Sequence, residues 1–252
     1  MRGGSLRPST LPAGVALIHH PRLGPGLFDT GYSRRFLDAT RAFPERCYRW
    51  LTPPILPPGS SAVEQLAQRG IAADDVRWIV LSHLHADHIA GLIDFPRATI
   101  YLHGDARAAL RQRGRWGNLL RGVLPALLPD DLDRRTHLLA SADFTAVGPG
   151  GLPGHDLAGD GQLLMVPLPG HADGQLGLVV RPPDAQPLFL IADAAWTSTA
   201  LVENRLPSRL SHWLNASTAG YHATFASLRR LAVDAPDLRL VPSHCPACWL
   251  SP

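Results

Sequence analysis

The 252-residue chain reads as an α/β protein, and three observations carry that reading. Short apolar runs rich in Val, Ile and Leu recur along the chain, with stretches of helical spacing between them. Several of these runs stop abruptly at His or Asp. Apolar residues make up 45% of the composition, ample for a packed core. Such a layout predicts two sheets, or one large sheet, covered by helices. Ligands in such folds gather on loops held at strand ends. We expect a single domain over 1–252, with a helical or loop insertion at about 105–160.

In chain order, GVALI (14–18) and GLFD (26–29) predict strands separated by the turn material PRLGPG. SRRFLDATRAF (33–43) has helical spacing. PPILPPGSS (53–61) predicts a loop whose serines cap the helix SAVEQLAQRG, closed by Gly70. VRWIVLS (76–82) predicts a strand with an apolar run long enough for burial on both faces. ATIYLH (98–103) is another strand and DARAALRQR (105–113) a helix, while 114–160 is rich in Arg, Leu, Pro and Gly and shows the least periodicity. QLLMVPL (162–168), LGLVVR (176–181), LFLIAD (188–193) and LRLVPSH (238–244) predict further strands. The helix TAGYHATFASLRRLAV (218–233) falls between the last two.

The formal charge is +3, and every basic side chain other than histidine is an arginine. The denser basic region from Arg107 to Arg135 reads as solvated helix faces, and the small net charge disfavours nucleic acid as a partner. Cys47, Cys245 and Cys248 cannot build a disulfide framework. The pair Cys245 and Cys248 spells C-x-x-C, but a zinc knuckle needs a second such pair. No segment reaches the roughly 18–20 apolar residues of a membrane span, and the N-terminus lacks the pattern of a secretory signal. A reducing cytoplasm is the expected location.

The chemistry concentrates in SHLHADHIAG (82–91). His83, His85, Asp87 and His88 spell H-x-H-x-D-H directly behind an apolar strand. Alternate residues of an extended chain point the same way, so His83 and His85 can reach a common point. Asp87 and His88 follow where the chain turns toward Gly91 and can aim at a second point nearby. Imidazole and carboxylate suit Zn²⁺, and also Fe, Co or Mn. A cation offsets the desolvation of so many clustered polar groups. His171 in PLPGH, Asp193 at the end of LFLIAD and His244 at the end of LRLVPSH supply further ligand types after three apolar strands. These seven residues could fill two metal sites if one carboxylate bridges, with open positions for water. His19, His20, His103, His137, His155, His212 and His222 read as satisfied polar residues instead.

These stretches, together with FDTG (28–31), PGH (169–171), LIADA (191–195) and PSH (242–244), resemble the metallo-β-lactamase superfamily from about residue 14 to 244. The resemblance implies a four-layer αββα sandwich with metals in a cleft along one edge of two sheets. It implies His83, His85 and His171 on one metal, Asp87, His88 and His244 on the other, and Asp193 bridging. The spacing of His171 and Asp193, and the flow of DAAWTSTALVENRLPS (193–208), resemble the N-acyl-homoserine lactonases. Those lactonases carry a tyrosine three residues beyond the bridging aspartate, where this chain has Trp196. An indole N–H donates a hydrogen bond but not a proton.

The implied activity is a dinuclear, metal-dependent hydrolysis of a lactone or carboxylic ester through a metal-bridging hydroxide, with zinc as the expected metal. Asp87 would shuttle a proton to the leaving group, Asp193 would set the metal spacing, and Asp29 and Ser82 are candidates for orienting the imidazoles. The alternative is a glyoxalase-II-like thioesterase or a phosphodiesterase on the same scaffold. A metal- or oxygen-binding protein without turnover is a third reading. Trp196, Trp116 and Leu119, with Leu120 and Trp213, are candidate pocket walls. The segment around Trp116 suits an acyl chain or a homodimer surface equally.

Overall fold

The computed structural model describes residues 10–207 and 215–249. His212 and Trp213 lie outside the described residues. The chain divides into two compact units, residues 15–139 and residues 140–252 with 1–14.

The unit of residues 15–139 is built on a five-stranded sheet in sequential order. Its strands are β1 (Ala16–His20), β2 (Gly24–Phe28), β3 (Trp78–Val80), β4 (Thr99–His103) and β5 (Thr136–Leu139). β1 and β2 form an antiparallel hairpin, and the remaining pairs are parallel. β3 is central and buried along its whole length, as its unbroken apolar run requires.

The Gly-Pro-Gly run at 24–26 belongs to β2, not to the turn its composition suggests. The Trp78 indole lies across it, and a Cβ on Gly26 would fall 2.0 Å from Trp78 Cε2. Trp78 Nε1–H donates to Gly24 O at 3.2 Å, which ties the ring to the glycine-rich strand.

Short helices cover this sheet: α1 (Arg35–Ala39), α2 (Arg46–Leu51), α3 (Ala62–Ala67), α4 (Ala86–Ile89), α5 (Gly104–Gln112), α6 (Arg115–Leu120) and α7 (Leu132–Arg135). α3 starts at a capping box. The Ser61 backbone N–H donates to the Glu64 carboxylate at 3.1 Å, and Gly70 follows the helix at positive φ. The core joins Leu27, Ile79, Ile100 and Leu102 of the strands to Phe36, Leu66, Leu81, Ile89 and Phe95. Each such side chain contributes about 1.5–3 kcal/mol on burial.

The second unit carries the sheet β10–β9–β8–β7–β6. Its strands are β6 (His155–Asp156), β7 (Leu163–Pro167), β8 (Leu176–Val180), β9 (Leu188–Ala192) and β10 (Arg239–Pro242). β6 to β9 pair antiparallel and β10 joins β9 in parallel. The helices α8 (Ser198–Val202), α9 (Thr218–Asp234) and α10 (Pro246–Trp249) complete it. α9 begins at Ser217, whose side chain accepts from Gly220 N–H at 3.0 Å. It buries Tyr221, Thr224, Phe225, Leu228 and Leu231, one stripe at helical spacing, against Leu164, Val166, Phe189 and Ile191.

The stretch 105–160 holds α5 to α7 and gives β5 to the first sheet and β6 to the second. Among the described residues no helix is long and apolar enough to cross a membrane.

Candidate metal centre

In the first unit, β3 runs into the loop that carries His83 and His85, and α4 opens immediately after with Asp87 and His88 in its single turn. The His83 and His85 rings sit with centroids 4.4 Å apart, and those of His83 and His88 are 4.1 Å apart. Asp87 Oδ2 lies 3.7 Å from His88 Nε2. His83 and His88 are wholly buried, at 0% and 1% exposure.

Asp29, just past the end of β2, is also 0% exposed and orders this cluster. Its Oδ1 accepts from Ser82 N–H at 2.7 Å. Its Oδ2 accepts from Ser82 Oγ–H at 2.8 Å and from His88 Nδ1 at 2.8 Å. An ionised carboxylate can only accept, so His88 carries its hydrogen on Nδ1. Ser82 gives its own hydrogen to Asp29, so its contact with His83 Nδ1 at 2.9 Å is one in which the imidazole donates. Both rings thereby carry the hydrogen on Nδ1 and the lone pair on Nε2, the tautomer that outer partners impose on metal-binding histidines. Asp29 stands at φ +60°. That left-handed conformation is less costly for Asp than for most residues, and such strain gathers at functional sites.

In the second unit the ligand types again stand at strand ends. His171 follows β7 across the Pro169–Gly170 turn. That turn is fixed to α9 by Thr224 Oγ1–H to Pro169 O at 2.6 Å and by Ser217 N–H to Gly170 O at 2.9 Å. Gly170 has φ +134°, and a Cβ there would meet Tyr221 N at 2.1 Å, so only glycine fits. Asp193 follows Ala192, the last residue of β9, which is held at φ +48°. His244 follows β10, and Ser243 N–H donates to Ala192 O at 3.1 Å, which binds the two strand ends together.

Asp193 Oδ2 is 3.2 Å from His171 Nε2 and 3.2 Å from His244 Nε2. One carboxylate oxygen thus faces two imidazole nitrogens. Ligand atoms about 2.0–2.1 Å from a tetrahedral zinc stand about 3.3 Å apart, close to this spacing. His244 Nδ1–H donates to Pro12 O at 2.7 Å, which leaves Nε2 turned toward Asp193. In each unit the donor types, and the partners that set the ring nitrogens, fit a divalent cation of borderline softness.

Tyr221, in α9, is a residue that the sequence does not single out. It is 1% exposed. Burial first, and the Asp193 charge second, push its pKa well above the usual phenol value, so it stays neutral. Its hydroxyl has no hydrogen-bond partner among the described residues. Of the candidate pocket walls, Trp116 is 56% exposed, with its ring edge-on to Phe43 at 5.8 Å. Leu119 is half-buried against the first core, and Trp196 is half-buried in the bend after Asp193.

A family model described as the metallo-beta-lactamase superfamily matches residues 27–244. The N-acyl homoserine lactonase AttM of Rhizobium radiobacter is 31% identical over 201 residues, covering 78% of this chain and 68% of that protein. Among solved structures, an N-acyl homoserine lactone hydrolase with the product N-hexanoyl-L-homoserine bound at its catalytic metal center is 18% identical. It superposes with a TM-score of 0.69, covering 96% of this chain and 85% of that one. AidC, a dizinc quorum-quenching lactonase in complex with its product, gives a TM-score of 0.61 at 18% identity, covering 91% and 71%.

Proposed function

The chain belongs to the metallo-β-lactamase superfamily and has its αββα fold, and on that premise we propose that it is a metal-dependent hydrolase that opens lactones of the N-acyl homoserine type. The observation that carries the reading is the carboxylate oxygen of Asp193 shared at 3.2 Å by His171 Nε2 and His244 Nε2. In the other unit, Asp29 and Ser82 hold the Nδ1 side of His83 and His88 and so put the lone pair of each on Nε2. The name and extent of the AttM match support the substrate class.

In this reading His83, His85 and His171 would hold one cation and Asp87, His88 and His244 a second, with Asp193 as the shared carboxylate. Zinc suits the donor set. The cations supply a water acidified to near neutral pH and a Lewis acid for the carbonyl oxygen. The remaining steps belong to the chain. Asp29 and Ser82 hold the imidazoles in the ligating tautomer, and Pro12 O does the same for His244. Asp87, the more exposed carboxylate, would accept a proton at a carboxylate oxygen and pass it to the leaving oxygen of the opened ring.

Ala86 N–H donates to Gly122 O at 3.1 Å, which sets the end of α6 against the ligand loop. The exposed Trp116 and Leu120 then offer an apolar wall for an acyl chain. A second copy of this chain is the other cover for that face, and sedimentation with and without lactone separates the two. Cys47, Cys245 and Cys248 are free thiols, consistent with a cytoplasmic enzyme.

The test is zinc-loaded protein assayed on acyl homoserine lactones, aryl esters, a glutathione thioester and bis-p-nitrophenyl phosphate. Lactone turnover that vanishes in His85→Ala supports the reading. Turnover confined to the thioester or the phosphodiester overturns it.

A further inference from the structure

The C-x-x-C pair near the C-terminus has no part in the metal centre, yet it lies directly behind one of its histidines. Cys245 follows His244, and Cys245 N–H donates to Pro242 O at 3.4 Å. Cys248 N–H donates to Cys245 O at 2.9 Å, so residues 245–248 form one closed turn leading into α10. A turn closed in this way holds its first and fourth Cα atoms within about 7 Å, and a disulfide spans about 4.4–6.8 Å. Both residues are free thiols. They differ in access: Cys245 is 2% exposed, whereas Cys248 is half-buried.

The Cys245 sulfur faces α8. Ser198 N–H donates to Cys245 Sγ at 3.4 Å, and Ser198 Oγ stands 3.2 Å from the same sulfur. This contact ties the first residue of α8, which follows Asp193 by one short bend, to the residue after His244. The far side of the turn is tied as well, since Trp249 Nε1–H donates back to Pro242 O at 2.8 Å. His244 therefore sits between two anchored points, Pro242 and Cys245.

We propose that Cys245 and Cys248 are a redox-active dithiol that glutathione disulfide converts to an intramolecular disulfide, and that this bond weakens the hold of His244 on its cation. The second part rests on the metal-dependent hydrolase reading above. The more accessible Cys248 thiolate attacks one sulfur of the small disulfide, forming a mixed disulfide and releasing one glutathione thiolate. The Cys245 sulfur then attacks the Cys248 sulfur, and a second glutathione leaves with the Cys245 proton. The protein gives up two electrons and two protons, and the small disulfide takes them up. Cys245 Sγ thereby turns from Ser198 to Cys248 and loses its hydrogen. With one of its two anchors withdrawn, the His244 backbone shifts. A reducing compartment keeps such a pair open, and oxidised glutathione closes it.

The test is incubation of the zinc-loaded and the metal-stripped protein with glutathione disulfide, followed by its removal. The peptide holding both cysteines should lose two hydrogens in mass. Zinc affinity, read by competition with a chelator, should fall about tenfold and return with dithiothreitol. Lactone hydrolysis at limiting zinc should follow it. Cys248→Ser and Cys245→Ser should bind zinc as reduced wild type does and keep that affinity after the same treatment. Failure of the internal disulfide to form would overturn the proposal. So would a disulfide that leaves zinc affinity within about twofold, or loss of zinc binding in reduced Cys248→Ser. A disulfide that forms and loosens zinc in a protein that opens no lactone would overturn the lactone reading and uphold the dithiol.

Discussion

Asp29→Asn is a nearly isosteric change that reverses one hydrogen-bond polarity at the buried centre of the first ligand set. Asn tolerates the φ of +60° at this position, and its carbonyl oxygen can still accept from Ser82 N–H, now at 2.7 Å. The amide nitrogen then replaces the oxygen that stands 2.8 Å from His88 Nδ1. A donor there forces Nδ1 to accept, so the His88 hydrogen moves to Nε2, the atom meant for the metal. Loss of such an orienting partner costs about 10- to 100-fold in metal affinity, or about 1.4–2.7 kcal/mol. Because Ser82 loses the acceptor for its Oγ–H as well, its contact with His83 weakens and the loss should fall toward the upper end of that range. Asp29→Ala, by contrast, strands three buried donors at about 1–3 kcal/mol each and should mainly destabilise the fold. Competition with a zinc chelator reads the affinity, and nitrogen NMR of the histidine rings reads the tautomer. Asp29→Asn protein that binds zinc as tightly as wild type, with His88 still protonated on Nδ1, would refute this account of how the ligands are prepared.

Gly170→Ala should cost about 3 kcal/mol or more in urea unfolding, because the new methyl would overlap the α9 backbone, and activity should fall with it as His171 shifts. Tyr221→Phe should change stability by less than about 1 kcal/mol in either direction, since it removes a buried hydroxyl with no partner among the described residues. The Asp133 carboxyl, hydrogen-bonded by Arg107 and Arg111, titrates at about 2. A depressed carboxyl contributes its stability above the unfolded-state pKa and loses it as pH falls through the folded one. Carbon NMR of Asp133 should therefore show a midpoint near that value, moving up toward an ordinary carboxyl in Arg107→Ala.

The parts of the fold legible in the sequence were those in which one local rule and the tertiary environment agree. The predicted strand 76–82 supplies β3, shorter than expected at Trp78–Val80, which lies at the centre of the sheet and is buried along its length. The stripe 218–233 became α9 within one residue at its C-terminal end, because Ser217 caps it and its buried positions repeat at helical spacing. Where a tertiary partner decides the outcome, local reading failed. The Gly-Pro-Gly run is a strand because Trp78, 54 residues beyond Gly24 in the chain, covers it. β5 is a mostly exposed edge strand, and its Thr-His-Leu-Leu shows no alternation to read. At the candidate site, H-x-H-x-D-H announced itself through density of ligand types, and His171, Asp193 and His244 through their places after apolar strands. Tyr221 gave no such signal, because a lone tyrosine on a helix looks like core.

The central claim is that the imidazoles and carboxylates of both ligand sets act as one cation-dependent hydrolytic centre. The most direct measurement is zinc titration into metal-stripped protein, with lactone hydrolysis followed at every point. The account predicts that activity is absent at the start, rises with binding and saturates at two zinc ions per chain, and that Asp193→Asn lowers both the stoichiometry and the rate. Lactone hydrolysis that persists in the stripped protein, or saturation with no zinc retained after gel filtration, would contradict it.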